Sequence, residues 1–221
     1  MKNFTIILVS IVFLIVSFFE IYGTIIQSEL LEFICKPLIT VLLAILYLIS
    51  VKKPSFLFIS ALFFSFWGDV LLLFPEKYFV FGLVSFLLTH LLYIRIIKGF
   101  LPKIKVTTFI KSALPFVFYF GGIVFLTINN LKELLIPVIV YGLVISAFGT
   151  FSLVNYIKNK ATENLWLLVG ALIFILSDSI IAINKFYLNT IDLGSLIMIT
   201  YIVAQYMICK AMIAKSLNSE L

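Results

Sequence analysis

Charged residues are scarce in this chain, and their scarcity excludes an ordinary water-soluble domain. Only 12% of the 221 residues are charged, whereas 63% are hydrophobic. Soluble domains carry about 25% charged residues. Cysteine and histidine are scarce as well: Cys35 and Cys209 fall in predicted helices, and His90 is the only histidine. The sequence therefore indicates neither a disulfide framework nor a metal site.

Long apolar runs take the place of the missing charge. Eight of them approach the ~20 residues that a helix needs to span a bilayer. Their side chains do not alternate as in a membrane barrel, and backbone groups in hydrocarbon must bond within their own segment, so we expect helices. We predict an all-α fold, a polytopic transmembrane bundle that forms a single domain over residues 1–221. Its eight helices lie near 4–22, 33–51, 55–74, 78–97, 107–128, 134–155, 165–185 and 194–214.

The basic residues predict the orientation of this bundle. They are scattered through short connections, which is typical of membrane topology and not of nucleic-acid binding. Twelve lie on the side that carries both termini, and three (Lys77, Lys132 and Lys185) lie on the other side. The positive-inside rule therefore predicts that both termini are cytoplasmic. The richness in Ile, Lys, Phe and Asn is typical of AT-rich genomes and favours an integral protein of a bacterial plasma membrane.

Two carboxyl groups interrupt the apolar runs. Asp69 lies in SFWGDVLLLF and Asp178 in FILSDSIIAINKF. A carboxylate at such a depth costs a few kcal/mol, so these groups are rare and usually line a polar cavity with a function. A rise of about 1.5 Å per residue places both aspartates about 20 Å from the cytoplasmic edge. We predict that they form the centre of a functional site; the alternative is a structural role, such as a salt bridge to Lys36.

Other polar side chains lie at the depth of the two aspartates, or on the same helix face as residues at that depth. Glu20 approaches the layer from the first helix. The candidate substrate-binding or supporting residues are Lys36, His90, Tyr93, Tyr141, Lys185, Tyr201 and Gln205. For His90 and the tyrosines, packing and hydrogen bonding between helices are the alternative interpretation.

A faint repeat relates the two halves of the chain. Gly68-Asp69 in the third helix and Ser177-Asp178 in the seventh share a small-Asp pattern four helices apart. An even offset favours a weak four-plus-four parallel repeat. A second pair of similar segments, at 36–39 and 136–139, has a different spacing from its aspartate in each half, so chance similarity remains the alternative.

Several short motifs in a specific order resemble the YhhN family of eight-helix membrane proteins. They are Cys35-Lys36-Pro37-Leu38, Gly68-Asp69, Gly82 with His90-x-x-Tyr93, Phe174-x-x-Ser177-Asp178-Ser179 with Ala182 and Lys185-Phe186, and Tyr201-x-x-x-Gln205. Members of that family include lysoplasmalogenases. The resemblance implies a hydrolase that resides in the lipid bilayer. Its partner would be a membrane lipid substrate, a lysoplasmalogen-type lysophospholipid. It would cleave the vinyl ether bond of this lipid to a fatty aldehyde and a glycerophospho head group.

The implied reaction agrees with two carboxyl groups. Protonation of the vinyl ether at its β-carbon leaves an oxocarbenium ion, which water attacks. One protonated carboxyl would be the general acid, and one carboxylate would activate water, as in the two-carboxylate glycosidases. Lys36 and Lys185 could hold the lipid phosphate as point charges, and no cofactor is required. The alternative is a small-molecule or proton-coupled transporter that uses the same aspartates.

Overall fold

The structure is a computed structural model that describes residues 2–188 and 191–218, and within these residues the chain is α-helical without a β-strand. The helices are α1 (Lys2–Ile25), α2 (Glu29–Ser50), α3 (Phe56–Leu71), α4 (Pro75–Phe100), α5 (Val106–Leu131), α6 (Leu135–Lys158), α7 (Thr162–Phe186) and α8 (Gly194–Asn218). The prediction of an all-helical fold is confirmed.

The number of helices depends on how the segment from Val106 to Lys158 is counted. It is one helical run of 53 residues, which gives seven helices in the described residues. Its hydrogen bonds divide it into α5, a 3-10 turn at Lys132–Leu134 and α6. A straight run would be about 80 Å long, yet α5 and α6 pack against each other. We therefore describe it as a hairpin, and the count of eight membrane crossings stays a prediction.

The helices have the length and the surface of membrane spans. Six helical segments are long and apolar enough to cross a bilayer: Asn3–Ile25, Glu29–Ser50, Pro75–Phe100, Val106–Lys158, Thr162–Phe186 and Gly194–Asn218. Large apolar side chains cover the outer surface; Phe118 and Phe125 on α5, for example, are 75% and 81% exposed. Lipid chains accept such a surface, whereas water does not. The chain is an integral membrane protein.

Helix α3 is shorter than the sequence predicts. The predicted helix covers 55–74, but α3 ends at Leu71 after 16 residues, which is about 24 Å. The helix ends there because Pro75 follows. A residue before proline is disfavoured in the helical conformation, and Phe74 has φ −122° and ψ 64°. Pro75 then begins α4. The early end of α3 leaves Asp69 within one turn of the end of its helix.

Neighbouring helices pack as hairpins around one core. Buried residues from all eight helices belong to this core. In the first half α1 packs on α2, α2 on α3 and α3 on α4; in the second half α5 packs on α6, α6 on α7 and α7 on α8. The contact between α2 and α8 corresponds to that between α4 and α6. The contacts of α1 with α8 and of α5 with α7 lack counterparts of similar extent in the described residues, so the four-plus-four repeat stays a prediction.

Glycine lets α7 and α8 approach closely. A Cβ atom on Gly170 would lie 2.8 Å from Cγ1 of Ile208, and 3.1 Å from both the Ala204 carbonyl oxygen and the Ile208 nitrogen. Two of these three atoms belong to the backbone of α8 and cannot move aside like a side chain. Small residues at such crossings are the usual means by which membrane helices pack tightly.

We predict that Gly170→Ala destabilises the protein although alanine favours helices. The added methyl group overpacks the crossing of α7 and α8, which costs about 1–3 kcal/mol. Gly122→Ala on α5 is the matched control, because no atom lies within 4 Å of its added Cβ. The control gains up to about 1 kcal/mol from helix propensity. Unfolding midpoints in detergent measure both changes, and equal midpoints for the two variants would contradict this packing.

Candidate functional site

His90, Tyr93 and Gln205 lie in the middle of the bundle or beyond it, whereas the other candidate residues lie toward one end. This is the end at which α1, α3, α5 and α7 finish and α2, α4, α6 and α8 begin; we call it the site end. Asp69 is near the last turn of α3, and Asp178 is two turns before the end of α7. Helices of opposite direction therefore bring polar side chains from distant parts of the chain to a common layer.

Asp69 is buried, and its hydrogen bonds come from two other helices. Its side chain is 1% exposed. The Tyr201 hydroxyl on α8 donates to Oδ2 of Asp69 at 2.8 Å. The Thr40 hydroxyl on α2 lies 3.3 Å from the same oxygen. Lys36, one turn before Thr40, interacts electrostatically with the Asp69 carboxyl. The acid of α3 therefore connects α3 to α2 and α8.

Gln205 extends this network, which we call the Asp69 network. Its amide nitrogen donates to the Tyr201 hydroxyl at 3.1 Å and to Oγ of Ser65 at 3.0 Å. Its amide oxygen accepts a hydrogen bond from the Tyr93 hydroxyl at 3.2 Å. A chain of hydrogen bonds thus runs from the Tyr93 hydroxyl through the Gln205 amide and the Tyr201 hydroxyl to the Asp69 carboxyl group. Three of the predicted supporting residues, Tyr93, Tyr201 and Gln205, belong to this network.

Asp178 belongs to a different network. The Tyr141 hydroxyl on α6 donates to its Oδ2 in a short hydrogen bond. Tyr141 is 8% exposed, whereas Asp178 is partly buried and faces a narrow cleft. Leu72, Phe79, Phe86 and Ile181 are among the other residues that line this cleft. Asp178 is therefore the aspartate that a molecule in the cleft can contact.

The two aspartates belong to separate networks, and the Phe86 ring contacts both sides. No hydrogen bond joins their carboxyl groups in the described part of the chain. Phe86 packs edge-on against Tyr201 at 5.9 Å between ring centres, and it also lines the Asp178 cleft. A Cβ atom on Gly68 would lie 2.6 Å from the ring of Phe86. The glycine before Asp69 therefore leaves the space that the Phe86 ring occupies beside the Asp69 network and the cleft.

His90 lies among these rings and does not extend either network. Its side chain is fully buried, and neither ring nitrogen has a hydrogen-bond partner in the described residues. Its ring centre is 5.7 Å from that of Tyr141 and 4.7 Å from that of Phe174. These contacts agree with a packing role, the alternative considered for it above. A direct role of His90 in the site stays a prediction.

The two predicted phosphate ligands line one cavity at the site end, which we call the lysine cavity. Its volume is about 340 Å³, and its lining includes Lys36, Lys185, Glu32 and Asn184. The Lys185 ammonium lies 4.6 Å from the centre of the Phe79 ring. Three lining residues of the lysine cavity also line the Asp178 cleft: Leu72, Phe79 and Ile181. The two spaces are therefore neighbours across a thin apolar wall.

Apolar spaces continue from the cleft along α5, α6 and α7. A second small pocket shares Val138, Tyr141, Asp178 and Ala182 with the cleft. That pocket shares Tyr119 and Ile175 with a groove of about 400 Å³ between α5 and α7. The other residues that line this groove are Pro115, Phe116, Leu153, Leu168, Leu172 and Leu176. A path of neighbouring spaces thus begins at two ammonium groups, passes one carboxyl group and ends among apolar side chains.

Three polar residues that interact with Asp69 or with members of its network were not among the predicted supporting residues. Thr40 and Ser65 contact members of the Asp69 network, and Glu20 interacts electrostatically with Asp69. Helical spacing could have identified two of them, since Ser65 precedes Asp69 by one turn and Thr40 follows Lys36 by one turn. Among the described residues, no group of three or more His, Cys, Asp or Glu side chains could hold a metal ion.

Comparison with known proteins identifies the family. The model of the YhhN family matches residues 31–212, which is most of the chain, so the protein belongs to this family. The matched region contains both aspartates and all seven predicted supporting residues. No curated protein and no solved structure matches the chain.

We predict that the two hydrogen-bond networks contribute independently to stability. Tyr141→Phe and Tyr201→Phe each remove one hydroxyl, at a cost of about 1–2 kcal/mol. In the double variant these costs add within about 0.5 kcal/mol, because the hydroxyls share no partner. Tyr93→Phe with Tyr201→Phe is the matched control, since Gln205 joins these hydroxyls and a coupling above about 0.5 kcal/mol is expected. Reversible unfolding in detergent measures both cycles; coupling in the first and additivity in the second would contradict the separation.

Proposed function

We propose that this member of the YhhN family is a membrane-embedded hydrolase that cleaves the vinyl ether bond of lysoplasmalogen-type lysophospholipids. The products are a fatty aldehyde and a glycerophospho head group, and Asp69 and Asp178 are the catalytic carboxyl pair. One observation carries the proposal. The path of neighbouring spaces presents cations, then a carboxyl group, then apolar side chains, and a lysophospholipid carries its phosphate, its reactive bond and its alkyl chain in the same order.

The lysine cavity supports binding of the head group. Lys36 and Lys185 both line it, and an ammonium group attracts phosphate as a compact charge. Glu32 and Asn184 also line it, so the cavity offers oxygen acceptors beside the cations. A glycerophospho group whose alcohol carries an amine would find partners for both charges there.

The groove between α5 and α7 supports binding of the alkyl chain. Pro115, Leu172 and Leu176 are typical of its apolar lining. Leu172 and Leu176 are exposed on the outer surface of the bundle, so the groove opens toward the hydrocarbon of the bilayer. A lysolipid could therefore enter sideways from its leaflet, with its head group remaining at the site end.

The positions of the aspartates favour different roles in the reaction. Leu72 and Ile181 in the wall beside the lysine cavity each lie three residues beyond an aspartate, Asp69 and Asp178 respectively. A vinyl ether at this wall would therefore lie within about one helical turn of both. Asp178, in the cleft, would donate its proton to the β-carbon of the vinyl ether. Asp69, on the polar side, would activate water.

The proposed reaction balances without a cofactor. The proton from Asp178 forms a C–H bond at the β-carbon and leaves an oxocarbenium ion. A water oxygen then bonds to the cationic carbon while Asp69 accepts a proton from that water. The resulting hemiacetal loses its glycerol oxygen, which takes up the hydroxyl proton of the hemiacetal, and an aldehyde remains. Proton exchange with bulk water returns both carboxyl groups to their starting states.

We propose that the site end faces away from the cytoplasm. The charge distribution predicts this orientation. At the opposite end, the ammonium groups of Lys210 and Lys215 lie 4.1 and 4.3 Å from the ring centres of Trp166 and Phe100. Lysines that extend past aromatic rings are typical of a membrane interface. A lysolipid would then reach the site from the outer leaflet.

We predict that Asp178→Asn and Asp69→Asn each lower kcat for lysoplasmalogen hydrolysis by at least about 100-fold, the usual contribution of a general acid or base. Aldehyde release by purified protein in detergent measures the loss. Asp192→Asn is the matched control, because Asp192 accepts a hydrogen bond from the Gly194 N–H near the surface and an asparagine oxygen can do the same. Folded aspartate variants with full activity would refute the assignment. Gradient-driven uptake of a solute into proteoliposomes, with no aldehyde formed, would favour a transporter.

We also predict that Lys185→Gln raises KM by about tenfold and leaves kcat nearly unchanged, because it removes a charge that holds the phosphate in both ground and transition states. Lys77→Gln is the matched control: Lys77 belongs to the same end of the bundle, but it lies over Tyr78 and does not line the lysine cavity. Steady-state kinetics with one defined lysolipid compare the two variants. A lower kcat at constant KM for Lys185→Gln would contradict a role in head-group binding.

A further inference from the structure

Glu20 on α1 is a buried carboxyl group without a hydrogen-bond partner. Its side chain is 0% exposed, and neither oxygen has a partner among the described residues. Leaving a buried polar group unpaired costs several kcal/mol, so such a group needs a specific explanation. Glu20 also lies outside residues 31–212, the part of the chain that matches the family model. Neither the family match nor the two aspartates accounts for it.

Glu20 lies one helical turn from a residue that lines the lysine cavity. Thr24 lines that cavity and lies one helical turn above Glu20, about 6 Å along α1. Leu72 lines the cavity in the same way above Asp69, and Lys36 does so above Thr40. Glu20 interacts electrostatically with both Lys36 and Asp69. Three helices therefore place Glu20, Thr40 and Asp69 each about one turn from a residue of the cavity that would receive the lipid head group.

A second unpaired group continues the polar face of α1. The hydroxyl oxygen of Ser17, one turn deeper than Glu20, is buried and also lacks a partner in the described residues. Buried water typically makes about three hydrogen bonds to polar groups that would otherwise be unsatisfied. Glu20, Ser17 and the nearby carboxyl of Asp69 provide such groups, and the lysine cavity lies one turn away as a source of water.

We propose that Glu20 is a further catalytic residue, whose carboxyl group holds the water that Asp69 activates. The inference rests on the proposed function. In the step that adds water, the water oxygen bonds to the oxocarbenium carbon and one of its protons passes to Asp69. Glu20 keeps its own protonation state and holds the water by a hydrogen bond on the side away from the substrate. Its role explains why α1 carries a carboxyl group at a position where no protein group satisfies it.

The test compares Glu20→Gln, Glu20→Leu and Glu29→Gln with the unchanged protein. Glu29 is exposed at the start of α2 and does not line the lysine cavity, so its variant repeats the chemical change away from the site. Each protein hydrolyses a defined lysoplasmalogen in water that contains a fixed, low concentration of methanol. Methanol can capture the oxocarbenium ion in place of water and gives a mixed methyl acetal. The ratio of acetal to aldehyde reports how firmly the site holds water, and it does not depend on the fraction of protein that is folded.

We expect both Glu20 variants to lower kcat by about 10- to 100-fold, within the usual range for a group that assists proton transfer. The acetal-to-aldehyde ratio rises severalfold in both variants, and KM changes little. Glu29→Gln alters none of these quantities. Glu20→Leu raises the unfolding midpoint while it lowers activity, because it removes a buried unpaired carboxyl group.

Two results would overturn the assignment of Glu20. One is a kcat within twofold of the unchanged protein, and the other is a lower kcat with an unchanged product ratio, which a purely structural role would give. If Glu20→Leu does not accumulate, Glu20→Gln, which has nearly the same shape, decides between these results. If the unchanged protein releases no aldehyde from any vinyl-ether lysolipid, the proposed function fails, and the role of Glu20 fails with it.

Discussion

A carboxyl group among apolar helices needs hydrogen bonds from other helices or from a buried water, because no bulk water surrounds it there. In this protein that constraint links much of the bundle. Asp69 on α3 accepts hydrogen bonds from α2 and α8, and Gln205 connects the same network to α4 through Tyr93. The contacts that satisfy the acid are also contacts that hold four helices in place. Removing the polar side chain that any one of these helices contributes would leave another polar group unpaired in a low-dielectric environment.

The two aspartates meet this constraint in different ways. Asp69 is almost completely buried and has partners on two helices, whereas Asp178 is partly buried, accepts from Tyr141 and faces a cleft. Phe86 contacts Tyr201 and lines the cleft, and its ring has room there because Gly68 has no side chain. Two acids held apart in unlike surroundings suit a reaction in which one donates a proton and the other activates water.

The surroundings of the site are charged at one end and apolar at the other, as a lysolipid is. Lysines lie at the membrane surface, and the apolar groove between α5 and α7 opens toward lipid. Asp69 and Glu20 are buried, and each lies about one helical turn from a residue that lines the lysine cavity. The apolar side, with Asp178, faces the spaces suited to an alkyl chain. An amphiphilic substrate would therefore be oriented before any chemistry takes place.

The sequence alone predicted the helices, the membrane location and several members of the two hydrogen-bond networks. The length of the apolar runs predicts helices, because backbone groups in hydrocarbon bond within their own segment. Pro75 explains why α3 ends earlier than its apolar run. Spacing along one helix was enough to group Tyr201 with Gln205, and the scarcity of carboxyl groups in apolar runs was enough to select Asp69 and Asp178. Only the tertiary structure decided which acid meets which tyrosine, that Phe86 contacts Tyr201 and lines the Asp178 cleft, and that Thr40 is a partner of Asp69. These features depend on the rotation of each helix about its axis and on the choice of neighbours. Both are set by packing between segments far apart in the chain, such as Gly170 against Ile208, which no local pattern contains.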